Sequence, residues 1–189
     1  MTVPLGVLKA DSIRFIPSLP DKNRKAIAGL GMGLLNKCVM MFESSFWGSD
    51  EEWIERITSS GFQSTLSMTP VARQPVLYGF NSATNARKIE SWTDAKTCDT
   101  LMTALRAIWP NAPTYRKCLV TRWGKDPYSY GSYSYTTKRM EYNKAHKGVG
   151  SPVAGGRLSF AGEATSLDFP ATVHGAYNSG VATAEKLLR

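Results

Sequence analysis

Phe160-Ala161-Gly162-Glu163-Ala164-Thr165, followed by Phe169-Pro170-Ala171-Thr172-Val173-His174-Gly175-Ala176 and then Ser179-Gly180, is the stretch whose reading decides the fold. Arg157 to Glu163 reads as a short strand that runs into a Gly-Glu turn. From Thr172 onward, Val173, Ala176, Tyr177, Gly180, Ala184, Leu187 and Leu188 recur at helical spacing. This predicts a helix with one apolar face, on which Gly175 and Gly180 allow close backbone packing. A strand that feeds a helix whose first turn holds small residues leaves free backbone N–H groups at the positive end of the helix dipole. Such a place suits the polar or anionic edge of a ligand.

Upstream, helices and strands alternate. Asp21 can cap a helix over Lys22 to Leu30, with Gly31 placed to stop it. Asn36 to Phe42 is apolar after its first two residues, which predicts a strand inside a sheet covered on both faces and puts Lys37 into buried surroundings. Ser49 and Glu52 have capping-box spacing, so Trp53 to Ile57 reads as a helical turn or a strand, and both stay open. Pro75 to Phe80 reads as another buried strand, and Thr93 caps a helix whose apolar positions run from Cys98 to Trp109 until Pro110 and Pro113 end it. Lys117 to Trp123 has strand character. Next comes a run with four tyrosines, Tyr128, Tyr130, Tyr133 and Tyr135, too poor in aliphatics to be ordinary core. Thr136 to Gly156 is a polar surface loop with a helical turn around Arg139 to Ala145. The class is α/β, in the mixed α+β sense.

Composition excludes other classes. With 189 residues, 42% hydrophobic and 20% charged, the chain is neither disordered nor fibrous. Its apolar runs fall well short of the ~20 residues that span a bilayer, and Met1 to Gly6 shows no secretory signal, so the expected location is intracellular and cytoplasmic. Cys38, Cys98 and Cys118, with only His146 and His174 beside them, have neither metal-ligand nor disulfide-framework spacing, and reduced core cysteines are expected, with no metal. A net charge of +8 could suit nucleic acid, but the basic residues are scattered in the manner of a solvated surface, so no nucleic-acid partner is expected.

Ala-Gly-Glu-Ala-Thr and Ala-Thr-Val-His-Gly-Ala strongly resemble the C-terminal flavin-binding motif of the flavin-dependent amine oxidases. That group holds the polyamine and spermine oxidases, monoamine oxidases and flavin-type histone lysine demethylases. Three further segments agree in order: Thr2 to Lys9 with the strand and turn that pass the cofactor, Gly33 to Lys37 with the lysine strand, and Trp123 to Tyr135 with the aromatic stretch beside the flavin ring. The resemblance implies FAD as cofactor and an amine as substrate, oxidised to an imine with oxygen as acceptor and hydrogen peroxide as product; the lean is toward polyamines. It implies two catalytic positions: Lys37, holding a water against flavin N5 with a pKa lowered by burial, and Tyr133, lining the amine channel. Val3, Pro4, Trp123, Tyr128, Glu163, Thr172 and Val173 would bind cofactor: Trp123 and Tyr128 at the dimethylbenzene side, Glu163 at a hydroxyl or phosphate-side group, and the N–H of Thr172 or Val173 at N1 and O2. His174 reads as a structural hydrogen-bonder. Ala182 departs from the Arg that many relatives carry.

By the same resemblance, residues 1–8 and 123–189 belong to an FAD domain of the glutathione-reductase-like type and 9–122 to part of a substrate-binding domain. The family's opening Gly-x-Gly-x-x-Gly strand–turn–helix is absent from these 189 residues, since Gly29-x-Gly31-x-Gly33 has the wrong spacing and follows a helix. The chain is therefore expected to be the C-terminal portion of such an enzyme, as a fragment, a truncated gene model or half of a split enzyme, whose partner is an N-terminal half carrying the pyrophosphate motif. Alone it is expected to be inactive and to leave Val173, Ala176 and Leu187 uncovered. The competing readings are a non-catalytic remnant or partner-binding module that has lost FAD, and part of a flavin-type histone lysine demethylase.

Overall fold

The computed structural model describes residues 1–57 and 61–188. In chain order the elements are α1 (Leu5–Lys9), α2 (Asp21–Gly29), β1 (Gly31–Gly33), β2 (Leu35–Met41), β3 (Trp53–Glu55), β4 (Ser64–Ser67), α3 (Thr69–Ala72), β5 (Val76–Ser82), α4 (Ala83–Ile89), α5 (Asp94–Arg106), β6 (Lys117–Val120), β7 (Tyr133–Tyr135), α6 (Tyr142–Val149), a 3-10 turn (Glu163–Thr165) and α7 (Val173–Leu187). They form two compact units, one of residues 1–33 with 124–189 and one of residues 34–123. The α/β class expected from the sequence holds.

The unit of residues 34–123 is a five-stranded antiparallel sheet, ordered β3-β4-β5-β2-β6, with helices on one face. Strand side chains alternate between faces, so Cys38, Met40 and Leu77 point to a core completed by Cys98, Leu101, Met102 and Leu105 of α5. That helix starts as the sequence predicts: the Thr93 hydroxyl accepts from the Lys96 N–H at 3.2 Å. It lies so close to β5 that a Cβ on Gly79 would meet Leu101 at 2.7 Å. One expectation fails here. Strand β2 is not buried on both faces, because Asn36, Cys38 and Met40 are buried while Lys37 and Val39 on the opposite face are half-exposed. Trp53 to Glu55 resolves the open choice in favour of a strand, paired with β4.

The cysteine expectation is also corrected. Cys98 and Cys118 form a disulfide, and the Cys38 Sγ lies 3.5 Å from that of Cys118. Helix α5 and strand β6 pack against each other, which brings together two residues that are 20 apart in sequence. Burial, with Asp94 nearby, pushes the free Cys38 thiol up to about 12.

In the other unit, Leu5, Ala26, Ile27, Leu30, Ala145, Val149 and Ala164 share a core drawn from α1, α2, α6 and the 3-10 turn. Residues 9–33 therefore cluster with 124–189 in this compact unit. Asp21 is the first residue of α2 rather than its cap and pairs with Arg24, which holds its carboxyl below the usual range. Lys9 caps the far end of α2, its ammonium donating to the carbonyls of Ile27 at 3.0 Å and Leu30 at 2.7 Å. Burial and nearby Arg139 lower the Lys9 pKa.

Two expected strands are absent from this unit. Thr2 to Val7 turns into α1 after Pro4, whose carbonyl accepts from the Val7 N–H at 3.0 Å. The run expected as a strand over Arg157 to Glu163 does not become one: Leu158 bridges Val153, the Met1 ammonium donates to the Ser159 carbonyl, the Ala161 N–H donates to the Met1 carbonyl, and Glu163 opens the 3-10 turn. The glycines at 31 and 33 have their own explanation. They lie opposite Tyr135 and Tyr133 in the β1–β7 ladder, and a Cβ on Gly31 would overlap the Tyr135 ring.

Candidate functional site

Lys37 lies opposite Phe80 in the β2–β5 ladder and, on its other side, just past the end of β6. Strand β2 pairs with β6 only from Cys38 to Met41, and the same register brings Thr121 opposite Lys37 beyond the end of the ladder. There the Thr121 N–H still donates to the Lys37 carbonyl at 2.9 Å. The Lys37 N–H, however, donates to the Thr121 hydroxyl at 2.8 Å rather than to a carbonyl. Asn36, 1% exposed, completes the junction: its amide oxygen accepts from the Thr121 hydroxyl at 3.1 Å and the Trp123 N–H at 2.9 Å, and its NH2 donates to buried Glu90 at 2.9 Å.

On the opposite face the Lys37 ammonium stands 5.7 Å from the centroid of the Phe80 ring. Trp53 of β3 stacks on the Phe80 ring, their centroids also 5.7 Å apart. A half-exposed amine beside an aromatic face can hold a water or a proton and can share the site with a second amine. No hydrogen-bond partner of the Lys37 ammonium is found among the described residues. Trp123 is 39% exposed, so its ring is open to a partner while its backbone is fixed.

In the unit of residues 1–33 and 124–189, Glu163 is more constrained than its sequence role suggests. Its carboxylate accepts from the Ser134 N–H at 2.9 Å, the Ser134 hydroxyl at 2.7 Å and the Ala171 N–H at 2.7 Å. It thereby clamps β7, which carries Tyr133, to the turn before α7. With three of about four lone-pair positions occupied, the carboxylate retains room for one further donor.

The start of α7 is built as the small residues predict. The Thr172 hydroxyl accepts from the Gly175 N–H at 3.0 Å and donates to the Phe169 carbonyl at 2.8 Å. A Cβ on Gly175 would overlap that carbonyl. Among the described residues nothing accepts from the N–H groups of Val173 and His174, both on exposed residues, so they are free donors at the positive end of a 15-residue helix. The His174 ring packs edge-on against Phe169, with centroids 4.7 Å apart.

Tyr133 is 36% exposed and Tyr128 82% exposed. Val3 and Pro4 lie in the extended segment before α1, and a Cβ on Gly6 would overlap the backbone at Ser129, so α1 packs directly on the tyrosine-rich stretch. The structure thus gathers Lys37 and Trp123 in one unit, and Val3, Pro4, Tyr128, Tyr133, Glu163, Thr172 and Val173 in the other. Sequence reading passed over Asn36, Thr121, Glu90, Ser134 and Phe80. Polar Asn36 at the head of an apolar strand was the visible signal for the first. The others depend on long-range pairing.

The chain belongs to the flavin containing amine oxidoreductase family, whose profile matches residues 1–188. It is 38% identical over 200 residues to Lysine-specific histone demethylase 1 homolog 1 of Arabidopsis thaliana, a match covering 100% of this chain and 23% of that protein. It is likewise 38% identical over 187 residues to Polyamine oxidase 4 of Oryza sativa subsp. japonica, covering 98% of this chain and 38% of that one. The fold is that of putrescine oxidase, with a TM-score of 0.82 at 19% identity, covering 100% of this chain and 42% of the oxidase. Cyclohexylamine oxidase from Brevibacterium oxydans superposes with a TM-score of 0.79 at 22% identity, covering 100% and 43%. The chain therefore spans between 23% and 43% of the length of these relatives. No helix of the described residues is long and apolar enough to cross a membrane.

Proposed function

We propose that this chain supplies the lysine strand, the aromatic lining and the ring-edge donors of an FAD-dependent amine oxidase acting on polyamine-like substrates. The observation that carries the reading is Lys37: an amine on an aromatic sheet face, its backbone pinned by Thr121 and its ammonium without a hydrogen-bond partner among the described residues. The donor set suits a flavin. Free N–H groups at the start of α7 match the electron-rich pyrimidine edge of the ring, and the exposed faces of Tyr128 and Tyr133 in the same unit match its flat apolar body.

When bound, FAD would accept hydride from the carbon beside the amine nitrogen and pass the electrons to oxygen, giving imine and hydrogen peroxide. The protein's part is orientation and electrostatics. Lys37 would hold a water or proton at its Nζ, and the Tyr133 ring would face the amine as a π surface. The N–H of Val173 would stabilise negative charge developing at the ring edge. Glu163 would hold β7 in place and offer its remaining lone pair to a cofactor hydroxyl. Val3 and Pro4 would pass along the cofactor beside residues 159–161.

The test is anaerobic mixing of the FAD-loaded protein, reconstituted with an N-terminal half that carries the pyrophosphate motif, with spermine, spermidine and a methylated lysine peptide. Bleaching of the flavin absorbance by an amine supports the reading, and the amine that bleaches fastest assigns the class. A loaded flavin that none of these amines reduces would refute it.

A further inference from the structure

The buried polar chain behind Lys37 points to a role that its chemistry alone does not explain. Buried polar groups are tolerated when fully hydrogen-bonded, and an apolar residue in place of Asn36 would continue the alternation of Cys38 and Met40 into the core. The donors and acceptors run in one direction. The Lys37 N–H donates to the Thr121 hydroxyl, whose single proton can then go to the Asn36 oxygen, and the Asn36 NH2 goes on to Glu90. The Trp123 N–H can only donate, so the amide atom it meets is the oxygen and the NH2 faces Glu90. The Asn36 oxygen is therefore left facing Thr121 and Trp123.

The arrangement ties together two residues with cofactor-facing roles. The Lys37 N–H is held by the Thr121 hydroxyl and the Trp123 N–H by the Asn36 oxygen, just past the end of the β2–β6 ladder, while β5 pairs with Lys37 on its other side through Phe80. We propose that Asn36, acting through Thr121, is a positioning residue that fixes the Lys37 amine and the Trp123 ring relative to each other for amine oxidation. This rests on the amine-oxidase reading of Lys37 and Trp123 given above. A positioned group loses efficiency steeply when its geometry loosens, whereas a merely stabilising bond does not alter the pH dependence of the step it lies behind.

The experiment compares the FAD-loaded full-length protein with Thr121→Val, which keeps the shape and removes the hydroxyl, and Thr121→Ser, which restores it. Asn36→Ala is made as well, but it leaves Glu90 without its amide partner, so the Thr121 pair decides the matter if that variant fails to fold. Two readouts are taken: backbone amide exchange at Lys37 and Trp123, and the pH profile of flavin reduction by an amine. The proposal expects Thr121→Val to exchange the Lys37 amide about tenfold faster or more. It also expects that variant to reduce flavin about tenfold more slowly or worse, with a moved pH midpoint, and Thr121→Ser to recover both. Faster exchange with an unmoved rate and midpoint would overturn the positioning role, as would no change in either readout. A parent protein whose flavin no amine reduces would instead refute the amine-oxidase reading, and this inference with it.

Discussion

Replacing Glu163 by alanine separates a structural clamp from a cofactor ligand, because the clamp acts whether or not flavin is present. The carboxylate serves three donors, two of them on Ser134, which is 2% exposed. In Glu163→Ala the Ser134 N–H and hydroxyl are left buried without an acceptor, at a cost of about 1–3 kcal/mol each. The Ala171 N–H belongs to an exposed residue and returns to water at little cost. Some relaxation will admit solvent, so the expected loss is about 3 kcal/mol for the unit that contains Glu163. Glu163→Gln keeps one acceptor oxygen and should lose about half as much. Native-state amide exchange at Ser134, measured without flavin, reads this directly. A loss of 3 kcal/mol corresponds to about a hundredfold faster exchange if opening is local. A Ser134 amide that stays equally protected in Glu163→Ala, with stability changed by less than about 0.5 kcal/mol, would refute the clamp and leave Glu163 a role at the cofactor alone.

Cys38 predicts a pH dependence. Its folded pKa, pushed up to about 12, lies above the ordinary thiol value of 9.0, so the stability this thiol contributes is fully present below pH 9 and is lost as pH rises toward 12. Relative to Cys38→Ala, the parent should lose about 1.4 kcal/mol per pH unit across that window. Parallel stability–pH curves for the two proteins would contradict this. Gly175→Ala should destabilise the start of α7 by about 2 kcal/mol or more, since the new methyl must displace the Phe169 carbonyl. Circular dichroism with amide exchange at Ala176 checks it, and an unchanged helix would show that the turn yields easily.

Much of the fold was legible because local signals and tertiary packing agree. Thr93 and Thr172 are hydroxyl caps and serve as caps, and the apolar spacing from Cys98 to Leu105 is the face that meets the sheet. Helix α7 runs where its periodicity places it, yet Val173, Tyr177, Leu187 and Leu188 on it are exposed, as expected from the sequence for Val173 and Leu187. The failures occur where distant segments decide. An apolar strand such as β2 reads as doubly covered until its pairing shows a half-open face, and the run after Arg157 meets residues 1 and 153 through its backbone instead of a partner strand. Cysteine spacing carries no information about α5 meeting β6. At the site, residue types pointed to Lys37, Tyr133 and Glu163, but Asn36 and Thr121 act through hydrogen bonds that span 85 residues of sequence.

The central claim is that Lys37 acts at the flavin, and stopped-flow kinetics of both half-reactions in Lys37→Met, made in the FAD-loaded protein reconstituted with its N-terminal half, test it most directly. Methionine preserves the length of the side chain on its sheet face while removing the amine beside Phe80. The account predicts retained flavin and a loss of ~10²–10⁴-fold in flavin reduction by amine, in reoxidation by oxygen, or in both, the range typical of removing a positioned acid–base group. Full flavin occupancy with both rates within a few-fold of the parent would contradict it and remove Lys37 from the mechanism.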